Sequence, residues 1–364
     1  MEETKRYIGW GQFLLLLFMC RVFTLMTFVP FARDGEGLSL RLTAAAVSTA
    51  VQAALLIPVV LLGRSATSVI LDKNNICGTV AAALYLLFFL FYTANSLMHF
   101  QRFLSARFFP YADSLLWIAV ILAVCVYCAC LGTEALGRSA VLLFWIFIIA
   151  LAAMVFSSAG DADSANLYFE PLDARGLFSA VLDDLSRNGE ICAAAFLAGR
   201  VRDKLRCGVY GFLTAKLVLA ETVMLLIAAV LGDFAVLSDY PFLALGTFGG
   251  ERFIQRSDSL YLIVWTITAA LNAALFLHIA AELFGEVFPK MRFRTAVSAL
   301  LVFGILFAVT TARGSLEELY SLICSGWAVI ILAGIIPLIA LIISGKIGRR
   351  KSPSEKIERG ESLQ

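Results

Sequence analysis

The sequence predicts an all-α polytopic membrane protein with about ten transmembrane helices. Three observations carry that expectation. Hydrophobic residues make up 60% of the 364-residue chain against 15% charged, with a mean hydropathy of +0.87. A soluble domain cannot keep that much apolar surface dissolved, because too few polar groups remain to cover it. The apolar residues also gather in stretches of about 20, the length a helix needs to cross a hydrocarbon core about 30 Å thick. Lysine and arginine, finally, are distributed unevenly between the connections.

Nine stretches have spanning length: residues 9–32, 38–63, 77–100, 114–131, 139–157, 209–232, 259–284, 295–312 and 319–344. A tenth, residues 189–201, is short, carries Glu190 and ends around Arg200, as a broken or re-entrant helix would. With ten crossings and the N-terminus inside, the inner connections hold Arg64, Arg138, the run Arg200 to Arg206, Lys290 to Arg294 and a basic tail from Lys346. Lys and Arg then favour the inner side by about two to one, as the positive-inside rule requires, with both termini cytoplasmic. Without the tenth crossing, Arg200 to Arg206 would share a side with the acidic loop from Asp161 to Arg187. Met1 to Trp10 leads straight into a full-length span with no cleavage site, so the chain is expected to stay inserted.

Composition also sets aside several function classes. Of the eight cysteines, Cys125, Cys128 and Cys130 sit in one apolar stretch, where thiols behave as small hydrophobes. That stretch lacks the His, Asp or Glu that would complete a metal site. With no nucleophile motif and no phosphate-cradling loop, the chain is not expected to be an enzyme. No cofactor and no nucleic-acid partner are expected; the lipid bilayer is the surrounding phase, and the basic tail reads as an inner anchor that meets anionic headgroups.

The longest polar stretch divides the chain into residues 1–158 as a first five-helix repeat, 159–188 as an outer linker, 189–345 as a second five-helix repeat and 346–364 as a cytoplasmic tail. That division suits a transporter of two inverted repeats, although no internal similarity is visible. In such folds the first helix of each half is broken and substrate binds near the midplane against unwound backbone. The irregular segments here are the first, with Arg21 near its middle, and the sixth, which opens with Gly189 and Glu190. A guanidinium at bilayer depth costs about 2.5–3.5 kcal/mol on insertion scales, so Arg21 needs a partner, water or a role. The connection from Asp233 to Asp258 reads as an interfacial helix and a glycine-rich turn, with Ser257 or Asp258 placed to cap the next helix.

Four pieces in order along nearly the whole chain resemble the B-subunit permease family of spore germinant receptors, within the amino acid–polyamine–organocation transporter superfamily. They are the frame from Gln12 to Pro30; GTEALGR at Gly132 to Arg138; NLYFEPLDARG at Asn166 to Gly176 with GEI at Gly189 to Ile191; and Tyr240-Pro241 with ERFIQRSDSLYLIVW at Glu251 to Trp265. The resemblance implies a leucine-transporter-like fold with broken first and sixth helices. It also implies a nutrient sensor in the inner membrane of an endospore, working beside an A subunit and a lipoprotein C subunit and binding an amino acid or similar small nutrient. The rival function is a proton-coupled secondary amino-acid transporter, and a water or ion conduit is a third class.

The resemblance also locates a candidate ligand site. The family carries small residues where its first helix unwinds; this chain has Phe23 and Leu25 there, flanked by Arg21 and Thr24. A guanidinium beside the break, able to hold a carboxylate bidentately, would take over from bare backbone. Glu190 opens the sixth segment beside it, so Arg21 is open to a buried pair with Glu190, a ligand contact, or snorkelling from a span whose limits lie elsewhere. Tyr92 and Asn95, three apart, and Thr268 and Asn272, four apart, each present one polar face. In the resembled fold both helices line the central site, while interhelical hydrogen bonding would use the same residues. Glu134 and Arg138 are spaced for a structural ion pair. Lys216 and Glu221 share the seventh span five apart, so each should find partners on other helices or, for Lys216, snorkel. His99, His278 and Glu282 offer either a proton path or satisfied packing. If Arg21 contacts ligand, Arg21→Gln abolishes the response to an acidic or zwitterionic germinant at unchanged protein level, and a dose–response curve reads it.

Overall fold

The computed structural model describes residues 7–27, 37–72, 76–107, 114–248, 257–291, 293–311 and 321–351. Each of the nine spanning-length stretches is helical within them. In order, the helices are α1 (Trp10–Thr27), α2 (Leu38–Leu55), α3 (Ile57–Leu62), α4 (Ala66–Ile70), α5 (Ile76–Arg107), α6 (Ser114–Leu131) and α7 (Thr133–Ser158). There follow α8 (Ala174–Ser186), α9 (Glu190–Leu197), α10 (Leu205–Leu231), α11 (Phe234–Leu237), α12 (Pro241–Phe248), α13 (Ser257–Val287), α14 (Arg294–Thr311), α15 (Gly326–Ile330) and α16 (Ile336–Lys351). Helices α2, α3 and α4 form one kinked segment, with Pro58 in the first turn of α3 removing a backbone donor at the bend. A π-helical turn, Ile331–Ile335, joins α15 to α16; the Tyr85 hydroxyl donates to the Leu332 carbonyl within it, a usual way to satisfy backbone at such a bulge. Among the described residues, seven segments are long and apolar enough to cross a membrane, and two shorter apolar helices, Leu116–Leu131 and Arg294–Thr310, accompany them.

Helix α1 is the axis of the bundle. Every residue from Leu16 to Thr27 is buried, which is how a helix apolar on all faces must sit, and it packs against α7, α9, α10 and α13. Helix α13 packs in turn on α5, α6 and α14. Helix α7 lies at the periphery and turns Leu142, Trp145, Ile149 and Phe156 outward, a face suited to lipid.

Two features differ from the sequence expectation. The first helix is not broken: α1 runs continuously from Trp10 through Arg21, Phe23 and Leu25 to Thr27. The physical reason is local. Phe23 and Leu25 are buried and lack glycine's freedom to leave the helix, and Thr24 and Thr27 bond the carbonyls four residues back, Cys20 at 3.3 Å and Phe23 at 2.7 Å. Pro30, the end of the expected frame, lies outside the described residues. The second difference is α8, a helix inside the expected outer linker. Asp173 caps it, its carboxylate accepting from the N–H groups of Arg175 at 3.4 Å and Gly176 at 3.0 Å. Its apolar face, Ala180, Val181 and Leu185, packs on Leu40 and Ala44 of α2.

The sixth segment starts at a break, with α8 before it and α9 within it separated by Arg187, Asn188 and Gly189. Its depth follows from its neighbours. Glu190 starts α9 beside Arg21, and Val201, the segment's last residue, is bridged to Ile8 before α1 begins. Thus α9 lines the N-terminal half of α1, and the break lies level with Arg21. The bridge is a pair of backbone bonds, Ile8 N–H to the Arg200 carbonyl and Arg202 N–H to the Ile8 carbonyl, both 3.0 Å. Together with the Arg64–Asp203 pair at 3.2 Å and the Thr67 hydroxyl on the Phe196 carbonyl at 2.7 Å, it closes the face that carries the N-terminus, hereafter the N-side.

Two glycines of the sequence motifs have structural reasons. Gly132 alone joins α6 to α7 with φ +86°, a left-handed conformation that strains any residue with a Cβ. Gly189 has ordinary dihedrals, but its Cα lies against the Tyr92 ring. Of the connection after α10, α11 and α12 are helical; residues 249–256 and the side chains of Ser257 and Asp258, the expected caps, lie outside what is described. Gly189→Ala places a methyl inside the Tyr92 ring and is expected to destabilise by about 1–3 kcal/mol, as overpacking does. The readout is a lower thermal midpoint of the purified protein; an unchanged midpoint contradicts this packing.

Candidate functional site

A break in a membrane-buried helix leaves unpaired carbonyls at one end and unpaired N–H groups at the other, and both must be satisfied inside the protein. Arg21 serves the first end. One guanidinium nitrogen donates to the Arg187 carbonyl at 3.0 Å and another to Asp184 Oδ1, also at 3.0 Å. A cation at the C-terminal end of α8 also matches the negative end of that helix's dipole. Glu190 stands in the first turn of α9, where a carboxylate matches the positive end. Gly189 N–H is taken up by the Tyr92 hydroxyl at 3.0 Å.

Lys216 of α10 completes the cluster. Its ammonium donates to Gln52 Oε1 and to Asn188 Oδ1, the latter at 2.6 Å. Asn188 returns to Asp184, its Nδ2 donating to Asp184 Oδ2 at 3.0 Å, while Gln52 Nε2 donates to Ser48 Oγ at 2.9 Å. Two cations, Arg21 and Lys216, thus face two carboxylates, Asp184 and Glu190, in a region closed to solvent. The Arg21–Glu190 pairing expected from sequence is present but secondary. Arg21 Nε and Glu190 Oε1 are 3.9 Å apart, and neither has a hydrogen-bond partner among the described residues.

Beside the break, on the side facing away from the N-side, a cavity of about 480 Å³ opens outward, within the range of small-molecule sites. Thr24, Tyr92, Asn95, His99, Arg187 and Trp327 are among its lining residues. Asn95 Oδ1 is buried with no hydrogen-bond partner among the described residues. Asp183 supplies a carboxylate at the rim and pairs with Arg187 at 2.7 Å and Arg41 at 3.4 Å. The cavity therefore offers charge of both signs, an unoccupied amide acceptor and, in the half-exposed Trp327, an aromatic face.

Of the eight residues expected to contact ligand, Thr24, Tyr92 and Asn95 come together at this cavity, where His99 joins them. Arg21 and Glu190 lie in the charged cluster next to it. The other three lie elsewhere. Phe23 packs on Trp265 with ring centroids 5.9 Å apart. The Thr268 hydroxyl turns back to its own helix, on Val264 at 2.9 Å and Trp265 at 3.0 Å, and Asn272 donates to Ser96 Oγ at 3.2 Å. Neither lines this cavity, and Asn272 Oδ1 is buried without a hydrogen-bond partner among the described residues. Sequence reading missed Asp184, Arg187 and Asn188, which it had left in the linker, and Gln52. The signal that could have found α8 was the apolar spacing Leu177, Ala180, Val181, Leu185 behind the capping Asp173.

The fold and this placement of charges around a broken helix define a class, the helical membrane proteins built like secondary transporters. A nucleobase-cation-symport-1 family transporter, solved in a closed conformation with bromovinylhydantoin bound, superposes with a TM-score of 0.57 over 92% of this chain and 78% of its own, at 16% identity; this likeness concerns the fold. A family model described as spore germination protein matches residues 73–316, and the chain belongs to that family. Spore germination protein KB of Bacillus subtilis (strain 168) is 26% identical over 209 residues. That alignment takes in 54% of this chain, which spans about half the length (55%) of that curated relative. The protein is an integral membrane protein.

Removing one member of a buried pair strands the other, a loss of about 3–5 kcal/mol. Arg21→Gln and Asp184→Asn are each expected to lower the thermal midpoint and the amount of protein in the membrane. Arg21→Met with Asp184→Leu should cost less than the two single losses together. A full-strength Arg21→Gln protein that has lost only its ligand response would instead assign the guanidinium to ligand.

Proposed function

We propose that this chain is the permease-like subunit of a spore germinant receptor. It binds a small nutrient, an amino acid or a molecule of similar size, in the cavity beside the helix break, and the occupied state triggers germination. The observation that carries the reading is the cavity itself, with a buried amide oxygen of Asn95 left for a ligand donor and the Asp183–Arg187 pair at hand for a zwitterion. The cavity opens away from the N-side. With both termini cytoplasmic, as the distribution of basic residues supports, a nutrient arriving from outside the spore's inner membrane meets it directly. Family membership supports the germination role, and the A and C subunits are the proposed partners. Residues 1–158 and 189–345 are the proposed repeats, joined by the outer linker 159–188, which holds α8.

For a ligand to act as a switch it must favour one conformation over another; equal affinity for both shifts nothing. In this structure the end of the sixth segment is tied to the chain before α1 and the cavity beside the break is open, so the nutrient is expected to enter this state and to stabilise a state in which the cavity has closed around it.

The test is a deletion in the native spore-former complemented with Asn95→Leu, germination being scored across individual amino acids and sugars. Loss of one hydrogen bond and some volume should raise the nutrient concentration for half-response about tenfold, at unchanged protein level. An unchanged dose response would remove the cavity from nutrient sensing. Uptake of the same nutrient by purified protein in liposomes, abolished by collapsing a proton gradient, would move the reading to a proton-coupled transporter.

A further inference from the structure

A second cavity of about 480 Å³ lies between α4, α5 and α16, and none of its lining residues lines the cavity beside the break. Its origin is a parting of two helices. The Tyr85 hydroxyl ties α5 to the Leu332 carbonyl in the π-helical turn. From that link toward the N-side α16 packs on α3 and α4, and a trench is left between it and α5. Both walls extend eight positions, from Ile76 to Leu84 on α5 and from Ile336 to Ser344 on α16. At the rise of an α-helix that is about 12 Å, most of one leaflet of a hydrocarbon core about 30 Å thick. Val80, Leu84 and Ile339 in these walls are half-exposed, so the trench opens on the surface of the bundle.

Polarity along the trench is ordered. Its deep end is hydrocarbon, with Leu84 facing Ile336 and Ile339. The lining residues with polar side chains, Ser68, Asp72 and Ser344, stand at the other end, beside α4, which the Thr67 hydroxyl ties to the N-side. An occupant that matches this order is an amphiphile with its polar group at the N-side. Helical register supplies the sign of that group. Ile343 and Ser344 line the trench, and the positions seven further on, Arg350 and Lys351, fall on the same face of α16 two turns later. Lys346 and Arg349 precede them. Asp72 is the one carboxylate among the lining residues, and Lys73 follows it in the sequence. Basic groups beside a cleft between spanning helices attract anionic headgroups.

We propose that the trench between α5 and α16 is a binding site for an anionic phospholipid of the N-side leaflet, one acyl chain lying along Val80, Leu84 and Ile339 and the phosphate at the basic end of α16. This inference is independent of the nutrient. It is also narrower than a general attraction between the basic tail and a charged surface, which needs no trench and would survive the filling of one.

The test titrates the full-length protein in a neutral detergent with palmitoyl-oleoyl phosphatidylglycerol or with phosphatidylcholine of the same chains, and counts bound lipids by native mass spectrometry. The tightest site is expected to take phosphatidylglycerol at a concentration about tenfold below that needed for phosphatidylcholine. Val80→Trp and Ile339→Trp fill the trench from half-exposed positions and should each remove that site while leaving the lipid-free thermal midpoint unchanged. Arg350→Gln with Lys351→Gln should keep the site and reduce the headgroup preference about tenfold. Equal retention of the two lipids by the unaltered protein, a tight phosphatidylglycerol site in a folded Trp variant, or a preference that the charge variant leaves in place would overturn the proposal. So would a lipid-free dimer that either Trp variant separates, since the trench would then belong to a second copy of the chain. The two Trp variants lie on different helices, so either one that folds is sufficient to decide the place of the acyl chain.

Discussion

The balance of buried charge at the break where the sixth segment starts is the constraint on which the rest of this structure depends. Arg21 and Lys216 are buried, and each ion in a low-dielectric interior costs several kcal/mol unless it is paired and hydrogen-bonded. Asp184 and Glu190 balance them, and the ends of two half-helices add dipoles of the right sign. Four elements then have to meet: α1 with Arg21, the kinked α2 with Ser48 and Gln52, α10 with Lys216, and the α8–α9 break. None can shift alone without stranding a charge. The cluster fixes both the depth of the break and the register of α1 against it.

The cavity inherits its position from that cluster. Tyr92 belongs to both, its hydroxyl holding Gly189 at the break and its ring lying against Phe276 at a centroid distance of 5.0 Å. The N-side closure is tied to the same element from the other end, since α9 begins in the charged cluster and the segment ends at Val201. This helix is short and buried along its whole length, so it has little room to bend between its two anchors. Cavity and closure are thus joined by one rigid, packed piece, the kind of element through which two sites bias each other.

Much of the membrane architecture was legible in the sequence because it depends on local quantities. Span length follows from the apolar runs, and the shortness of α9 follows from the charges that bound it. The i, i+3 spacing of Tyr92 and Asn95 places both on one helical face, and the structure puts that face on the cavity. Thr268 and Asn272 have an equally good spacing and lie elsewhere, because spacing says which residues share a face and not what the face meets. Helix α8 was hidden for a related reason. Its apolar face is narrow, and its acidic and basic residues lower the hydropathy of every window that covers it. The expected break in α1 came from the resemblance rather than from residues of this chain, and Phe23 and Leu25 had already removed the glycines that make unwinding cheap.

By itself, then, the sequence determined that the chain is a helical membrane protein, roughly where its helices lie, and that an arginine buried in the first of them requires a partner. Hydrophobicity and helical periodicity act over a few turns and are written in neighbouring residues. The tertiary structure decided the partner. Asp184 is 163 positions away, and Glu190, the nearer match to expectation, stands with its Oε1 at 3.9 Å and without a hydrogen-bond partner for that oxygen among the described residues. Which carboxylate neutralises which cation depends on how two half-helices are docked against α1, α2 and α10, and that docking is set by long-range packing which short stretches of sequence do not encode.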